Sequence, residues 1–124
     1  MLWQLLSIGV GGALGTLARV GVFAVAERFG SPGAPIGVLT VNVLGSFIFG
    51  LIVGLAKQPG GIVTPLEKTL LVGVLGGFTT FSTFAFDAVT MLESGRMLTA
   101  FLFIVGSNVG AILGMWLGIR LMSV

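Results

Sequence analysis

The stretch GGFTTFSTF, at positions 76–84, groups two glycines, four hydroxyl side chains and three phenylalanines in nine residues of an otherwise apolar segment. Glycines lower helix propensity and hydroxyls compete for backbone groups, so a helix is predicted to break here. Carbonyl oxygens released at such a break are ligands for a hard cation such as sodium. After the break, Phe81 and Phe84 share one helical face, and their positively polarised ring edges can contact a dehydrated anion. An aromatic pair at this spacing is more often part of a hydrophobic core, so both interpretations stay open.

Polar and charged side chains inside the apolar segments are few, and each is energetically costly there and hence a candidate for function. They are the hydroxyls of Thr79, Thr80, Ser82 and Thr83, together with Arg19, Asn42, Asp87, Ser107 and Asn108. Each also has a structural interpretation. Arg19 can anchor a helix at the membrane interface, the two asparagines can form interhelical hydrogen bonds, and Asp87 can neutralise a cation at a helix end.

The composition excludes several classes of function. Of the 124 residues, 56% are hydrophobic and only 8% are charged, and the mean hydropathy is +1.16, which is typical of a protein in a lipid bilayer. Because cysteine and histidine are absent from the sequence, disulfides, thiolate chemistry, the usual zinc ligands and a histidine base are excluded. The six Lys and Arg residues are scattered and form no basic patch for nucleic acid. We therefore expect a membrane protein that is not an enzyme and does not bind nucleic acid.

Four apolar segments are long enough to cross a hydrocarbon layer, which requires about 20 residues. They are predicted at 2–26, 36–56, 69–92 and 97–122, and the connections between them hold all four prolines and most of the charges. No connection is long enough to fold alone, so residues 1–124 are predicted to form one all-α, four-helix transmembrane domain. The first segment has no Lys or Arg before its apolar run, so it is expected to remain as a membrane span.

Glycine is frequent, with 21 residues, and its spacing is helical. In the fourth segment Gly106, Gly110, Gly114 and Gly118 form a row at every fourth position, and Gly11 and Gly15 repeat the spacing in the first. Apolar surface gains nothing by leaving lipid, so membrane helices associate through small residues that let their backbones approach closely. These glycine faces are predicted to pack helices.

The positive residues give little instruction on orientation in the membrane. With four spans, one side carries Lys57, Lys68 and Arg120, and the other carries Arg28, Arg96 and, if its side chain reaches that interface, Arg19. A chain with such balanced flanks can insert in both orientations. The hypothesis that follows is an antiparallel homodimer of two oppositely oriented copies, which would also give so short a chain enough protein to line a route.

The sequence resembles the Fluc/CrcB family of fluoride channels over its whole length. The resemblance is carried by GGALGTLAR (11–19), VNVLGSF (41–47), GGFTTFSTF (76–84) and the asparagine of GSNVGAILG (106–114). It implies an antiparallel, dual-topology homodimer with two fluoride pores and a central structural sodium ion held by main-chain carbonyls. It also implies a prokaryotic cell membrane as the location. The break that the glycines and hydroxyls of 76–84 predict lies in the third helix near mid-membrane.

The resemblance also implies roles for individual residues. The sodium carbonyls fall on Gly76 and Thr79 and the vestibule arginine on Arg19, while the fluoride pore falls on Phe81, Phe84, Asn42, Ser82, Thr83 and Ser107. Asp87 stands where many members have Glu. Along the fourth helix, where members often have Tyr and hydroxyl residues, this chain has Phe103, Ser107, Ala111 and Met115, and only Ser107 keeps a hydroxyl.

The predicted function is passive, fluoride-selective export that lowers cytoplasmic fluoride and confers resistance. The main alternative is a proton-coupled antiporter of the small multidrug resistance type, which is also short and four-spanned. That chemistry needs a carboxylate midway along the first span, where this chain has no acidic residue before Glu27. A membrane subunit without transport activity is a third possibility, although it leaves the clustered hydroxyls without a role.

Overall fold

The computed structural model describes residues 1–30, 35–56 and 64–123, and these residues are almost entirely helical. In chain order the helices are α1 (Leu2–Phe29), α2 (Ile36–Ala56), α3 (Pro65–Lys68), a π-helix (Thr69–Leu75), α4 (Gly76–Phe78), α5 (Phe81–Glu93) and α6 (Met97–Met122). Four segments are long and apolar enough to cross a membrane, namely Leu2–Phe29, Ile36–Ala56, Pro65–Glu93 and Met97–Met122. The prediction of an all-α chain with four candidate spans is confirmed for this part of the chain.

The third segment begins earlier than the predicted 69–92. Thr64 caps α3 by accepting a hydrogen bond from the backbone N–H of Glu67 at 3.2 Å, and the Glu67 carboxylate accepts one from the backbone N–H of Thr64. With Pro65 in the first turn, this capping box starts a helix within residues that the sequence analysis assigned to a connection. Lys57, which enters the charge balance of the predicted flanks, lies outside the described residues.

The π-helix Thr69–Leu75 was not predicted, and its start is tied to the start of α1 by polar side chains. Gln4 Nε2 donates to the carbonyl oxygen of Pro65 at 3.0 Å, and the hydroxyls of Ser7 and Thr69 lie 2.8 Å apart. Thr69 Oγ1 also donates to the Pro65 carbonyl at 3.0 Å. A wider helical turn leaves backbone groups without their α-helical partners, so these side chains stabilise the point where the helix type changes.

Close glycine contacts pack α1 against the third segment. Gly11 and Gly15 are the buried residues of α1, which confirms the prediction of a packing face. A Cβ atom placed on Gly15 would overlap the carbonyl oxygen of Val74, and one placed on Gly77 would overlap that of Gly12. The two backbones are therefore in direct contact, at a separation that side chains would prevent.

Glycines also pack α6 against α2. Cβ atoms on Gly110 and Gly114 would meet the side chain and carbonyl of Val43, and one on Gly118 would overlap the carbonyl of Phe47. The prediction for the fourth helix is thus confirmed at three of its four glycines, because Gly106 has nothing within 4 Å of such an atom. Since later residues of α6 meet later residues of α2, the two helices run in the same direction.

The apolar core is small and lies between α2, α5 and α6. Its buried members are Val38, Phe84, Ala88, Met91, Ala100 and Phe103. The α5–α6 connection is a tight turn in which Gly95 adopts φ 74°, a conformation that favours glycine, and the backbone N–H of Arg96 donates to the carbonyl of Met91 at 2.9 Å. This turn lies within the ESGR stretch and brings Phe103 of α6 against α5.

Gly15→Ala tests the close approach of α1 to the third segment. Because the new methyl group would overlap the Val74 carbonyl, the helices must separate, and overpacking of this kind costs about 1–3 kcal/mol. We expect a lower midpoint of thermal unfolding in detergent. Gly106→Ala, whose methyl group would meet nothing within 4 Å, is the matched control and should unfold like the unmodified protein. Equal midpoints for the two variants would contradict the packing described.

Candidate ion pocket at a helix interruption

The third segment is interrupted at two residues between α4 and α5. Thr79 has φ −80° and ψ 157°, and Thr80 has φ −150° and ψ 115°, both extended rather than helical. The Thr79 hydroxyl donates to the carbonyl of Leu75 at 3.0 Å. The Thr80 hydroxyl accepts from the backbone N–H of Thr83 at 3.3 Å and so caps α5. The hydroxyls of GGFTTFSTF therefore satisfy backbone groups at both edges of the interruption.

Asn42 of α2 forms two hydrogen bonds with the backbone of the interruption. Its Oδ1 accepts from the Thr80 backbone N–H at 2.8 Å, and its Nδ2 donates to the Thr80 carbonyl at 3.0 Å. In a continuous helix the Thr80 N–H would donate to the carbonyl of Gly76. Because Asn42 takes that donor, the Gly76 carbonyl loses its helical partner, and one N–H of the Asn42 amide remains for another acceptor.

Beside the interruption lies a pocket of about 270 Å³. It is lined by Asn42, Gly45, Ser46, Phe49, Thr79, Thr80, Phe81, Phe84, Ser107, Asn108, Ala111, Ile112 and Met115. Four of the residues predicted for the pore, Asn42, Phe81, Phe84 and Ser107, are thus brought together although they come from three helices. Ser46, Phe49 and Ile112 were not singled out in the sequence, although Ser46 follows Asn42 by one helical turn and the spacing could have indicated it.

Ser82 and Thr83, also predicted for the pore, are not among the residues that line this pocket. Their hydroxyls lie 3.4 Å and 2.9 Å from the Thr80 hydroxyl, respectively. The three hydroxyls form a local cluster at the first turn of α5. In this chain they support the cap of α5, and their predicted role toward an anion stays a prediction.

Ser107 contributes a buried hydroxyl that has no hydrogen-bond partner among the described residues. Ser107 is only 4% exposed and lines the pocket. An unsatisfied buried hydroxyl costs about 1–3 kcal/mol, so such groups in native structures call for a physical reason. An occupant of the pocket that accepts a hydrogen bond from Ser107 would be such a reason.

Three phenylalanine rings form a row along the pocket wall and behind it. The ring centroids of Phe81 and Phe84 lie 5.4 Å apart at 40°, and those of Phe84 and Phe103 lie 5.2 Å apart at 42°. Phe84 and Phe103 are buried, whereas Phe81 is 76% exposed on the single chain. Tilted contacts of this kind orient ring edges. Phe103 therefore fixes the orientation of Phe84 from behind.

Arg19 contacts the helix interruption, whereas Asp87 lies away from the pocket. Arg19 Nη1 donates to the carbonyl oxygen of Thr79 at 3.3 Å, which places a positive charge directly at the interruption. Asp87 is partly buried on α5, two helical turns after the cap residue Thr80, and does not line the pocket. The predicted vestibule arginine thus contacts one of the predicted sodium carbonyls.

Four candidate membrane spans, three of which line the pocket, indicate a multi-pass membrane protein. The family described as "CrcB-like protein, Camphor Resistance (CrcB)" matches residues 6–119. The chain belongs to this CrcB family.

Curated relatives carry the name "Fluoride-specific ion channel FluC". The protein of Paracoccus denitrificans is 46% identical over 84% of this chain and 82% of its own length. That of Nitratidesulfovibrio vulgaris is 35% identical over 94% of each chain. That of Methylobacillus flagellatus is 33% identical over 98% of this chain and 96% of its own length. The similarity therefore covers the pocket and all four candidate spans.

Asn42→Ala tests the hold of α2 on the interruption. The substitution leaves the N–H and C=O of Thr80 without their partner, and each unsatisfied group costs about 1–3 kcal/mol. We expect a clear fall in the midpoint of thermal unfolding in detergent. Asn108→Ala is the control, because within the described residues Asn108 Nδ2 donates to Ile104 of its own helix alone, whose carbonyl keeps its helical partner. If both variants unfold alike, Asn42 does not hold the break.

Proposed function

We propose that this chain forms a fluoride-selective ion channel through which fluoride leaves the cell passively, lowering cytoplasmic fluoride and conferring resistance. Membership of the CrcB family and the names of its relatives support the proposal. The observation that carries it is the pocket in which two phenylalanine rings, an asparagine amide and an unpartnered serine hydroxyl meet beside an interrupted helix. These groups are donors and ring edges, which suit an anion. Nothing supports the proton-coupled antiporter alternative.

Hydrogen-bond donors and fixed positive charge admit the anion. Moving a carboxylate-sized ion from water into a low-dielectric interior costs about 20 kcal/mol in the idealised limit, and the smaller fluoride costs more. A ring contact contributes at most about 2 kcal/mol, whereas each hydrogen bond to a charge contributes about 1.5–3 kcal/mol. The remaining N–H of Asn42, the Ser107 hydroxyl and the Arg19 charge therefore carry most of the compensation. The ring edges of Phe81 and Phe84 line a dry section too narrow for chloride.

The broken third helix lies near the middle of the membrane. Thr79 is the central residue of the 29-residue candidate span Pro65–Glu93, which supports this depth. Irregular backbone at such a depth is tolerated only where protein buries it or where it lines a cavity. The bonds from Asn42 and Arg19 to the backbone of Thr80 and Thr79 meet the first condition, and the pocket meets the second.

The carbonyl oxygens of Gly76 and Thr79 would hold a structural sodium ion at the centre of the dimer. The chemistry of these atoms fits a hard cation, because the Gly76 carbonyl has lost its helical donor to Asn42. The Thr79 carbonyl accepts one bond from Arg19 and keeps a second lone pair. Two copies would supply four such oxygens, and sodium there adds fixed positive charge beside the pocket.

The functional unit is an antiparallel homodimer with two pores, inserted in the cell membrane in both orientations. The balanced positive flanks support dual insertion. The exposure of Phe81 supports a dimer, because a ring that is 76% exposed on one chain while packed on Phe84 needs a further partner to enclose a narrow path. A single chain leaves the pocket open on that side.

Fluoride efflux from proteoliposomes, read with a fluoride electrode, tests the function. The unmodified protein should release trapped fluoride rapidly without an added energy source, and absence of release would refute the channel.

The variants Phe81→Ile and Phe84→Ile test the phenylalanine rings in the same efflux assay. Each removes a ring edge worth up to about 2 kcal/mol, so flux should fall by as much as roughly thirtyfold while the protein still assembles. Phe86→Ile is the control, because Phe86 is 69% exposed on the same helix and does not line the pocket.

Reporter fusions at the C-terminus test dual topology. Because the positive residues balance, fusions that report the cytoplasmic and the opposite side should both be active. Removing one positive charge from either side, with Arg28→Gln or Lys68→Gln, should shift the two signals in opposite directions. A single orientation in the unmodified protein, unchanged in both variants, would remove the basis for an antiparallel dimer.

A further inference from the structure

Six polar side chains line the pocket, and hydrogen bonds within the protein engage four of them. The Asn42 amide is bonded to Thr80, and Asn108 Nδ2 donates to the carbonyl of Ile104 at 2.7 Å. The hydroxyls of Thr79 and Thr80 are bonded to Leu75 and to the first turn of α5. Ser46 and Ser107 are the two lining hydroxyls that these bonds leave out.

Ser46 lies on the same face of α2 as Asn42, one turn further along the helix, since side chains four residues apart are neighbours. Its level on α6 follows from the glycine contacts. Gly114 of α6 lies against the carbonyl of Val43, at 3.2 Å from an added Cβ, and against Phe47 Cβ, at 3.5 Å. Ser46 stands between Val43 and Phe47, so it lies at the level of Gly114.

At that level, α6 offers the pocket no hydrogen-bond donor. The lining residues of α6 after Asn108 are Ala111, Ile112 and Met115. A dehydrated anion that moves along the pocket past Asn108 therefore meets only apolar side chains on α6. Ser46, on the facing helix, is the pocket hydroxyl at this height.

We infer that Ser46 of α2 is a second hydroxyl donor for a small dehydrated anion, about two helical turns further along the pocket than Ser107 of α6. The inference rests on the proposed function and deepens it, because it assigns the second half of the ion's path to α2. The Ser46 hydroxyl can point into the pocket because no hydrogen bond to another described residue engages it. Along the path Ser107 of α6 comes first, the Asn42 amide beside the interruption follows, and Ser46 lies beyond it.

Ser46→Ala, measured by fluoride efflux from proteoliposomes, tests the site. Loss of one hydrogen bond to a charge should slow flux about tenfold. Thr40→Ala, which removes a hydroxyl of α2 that does not line the pocket, should conduct like the unmodified protein. Ala111→Ser returns a hydroxyl to the pocket from α6, and in combination with Ser46→Ala it should restore part of the flux.

The outcomes separate this inference from the proposed function. If the unmodified protein releases no fluoride, the channel itself is refuted. If it conducts and Ser46→Ala conducts equally well, only the role of Ser46 is refuted. A Ser46→Ala protein that no longer elutes at the size of the unmodified protein also counts against this role, because a hydroxyl kept for an ion should not be needed for assembly.

Discussion

The pocket depends on the two hydrogen bonds between the Asn42 amide and the Thr80 backbone. In an apolar environment an unpaired backbone group is expensive, so an extended residue inside a candidate membrane span needs a side chain that replaces the helix as both donor and acceptor. A carboxamide is the uncharged side-chain group that does both in one plane. Its position on α2 therefore fixes where the third segment stops being helical, where α5 starts and which carbonyl is released.

The direction of the phenylalanine rings follows from that interruption. Phe81 is the first residue of α5, so its backbone is set by the cap at Thr80, and Phe84 follows one turn later with Phe103 behind it. Close packing holds this arrangement together. Gly15 and Gly77 bring α1 against the third segment at backbone contact, which allows Arg19, one turn after Gly15, to reach the Thr79 carbonyl. Bulkier residues in α1 would keep that charge away from the break.

Much of this arrangement could be predicted from the sequence because it depends on local composition. Four apolar segments, rows of glycine at helical spacing and a hydroxyl-rich stretch after Gly76 and Gly77 are visible without any contact information. The start of the third segment was predicted too late because Pro65 was taken as part of a connection. Thr64 and Glu67 nevertheless have the spacing of a capping box, which indicates a helix start.

Which polar side chains form hydrogen bonds within the protein, and which line the pocket, could not be predicted, because both depend on which helices contact each other. For Asn42 both a pore role and an interhelical hydrogen bond were open; the two bonds to Thr80 confirm the second, and the pore role stays a prediction. Ser82 and Thr83 were assigned with the phenylalanines, yet their hydroxyls cluster with the cap of α5. Ser46 was not predicted as a pocket residue, because only the register of α2 against α6 places it there.

The Ser107 hydroxyl has opposite effects on stability and on the proposed transport. Without a partner it lowers the stability of the fold, whereas in the pocket it can donate a hydrogen bond to an ion. A buried hydroxyl without a partner destabilises the fold, so a serine here is explained by an occupant rather than by packing. The most direct measurement is fluoride efflux by Ser107→Ala together with its unfolding temperature in detergent. The account predicts slower efflux from a protein at least as thermostable as the unmodified one. Unchanged efflux would contradict it, because the hydroxyl would then have no part in the ion's path.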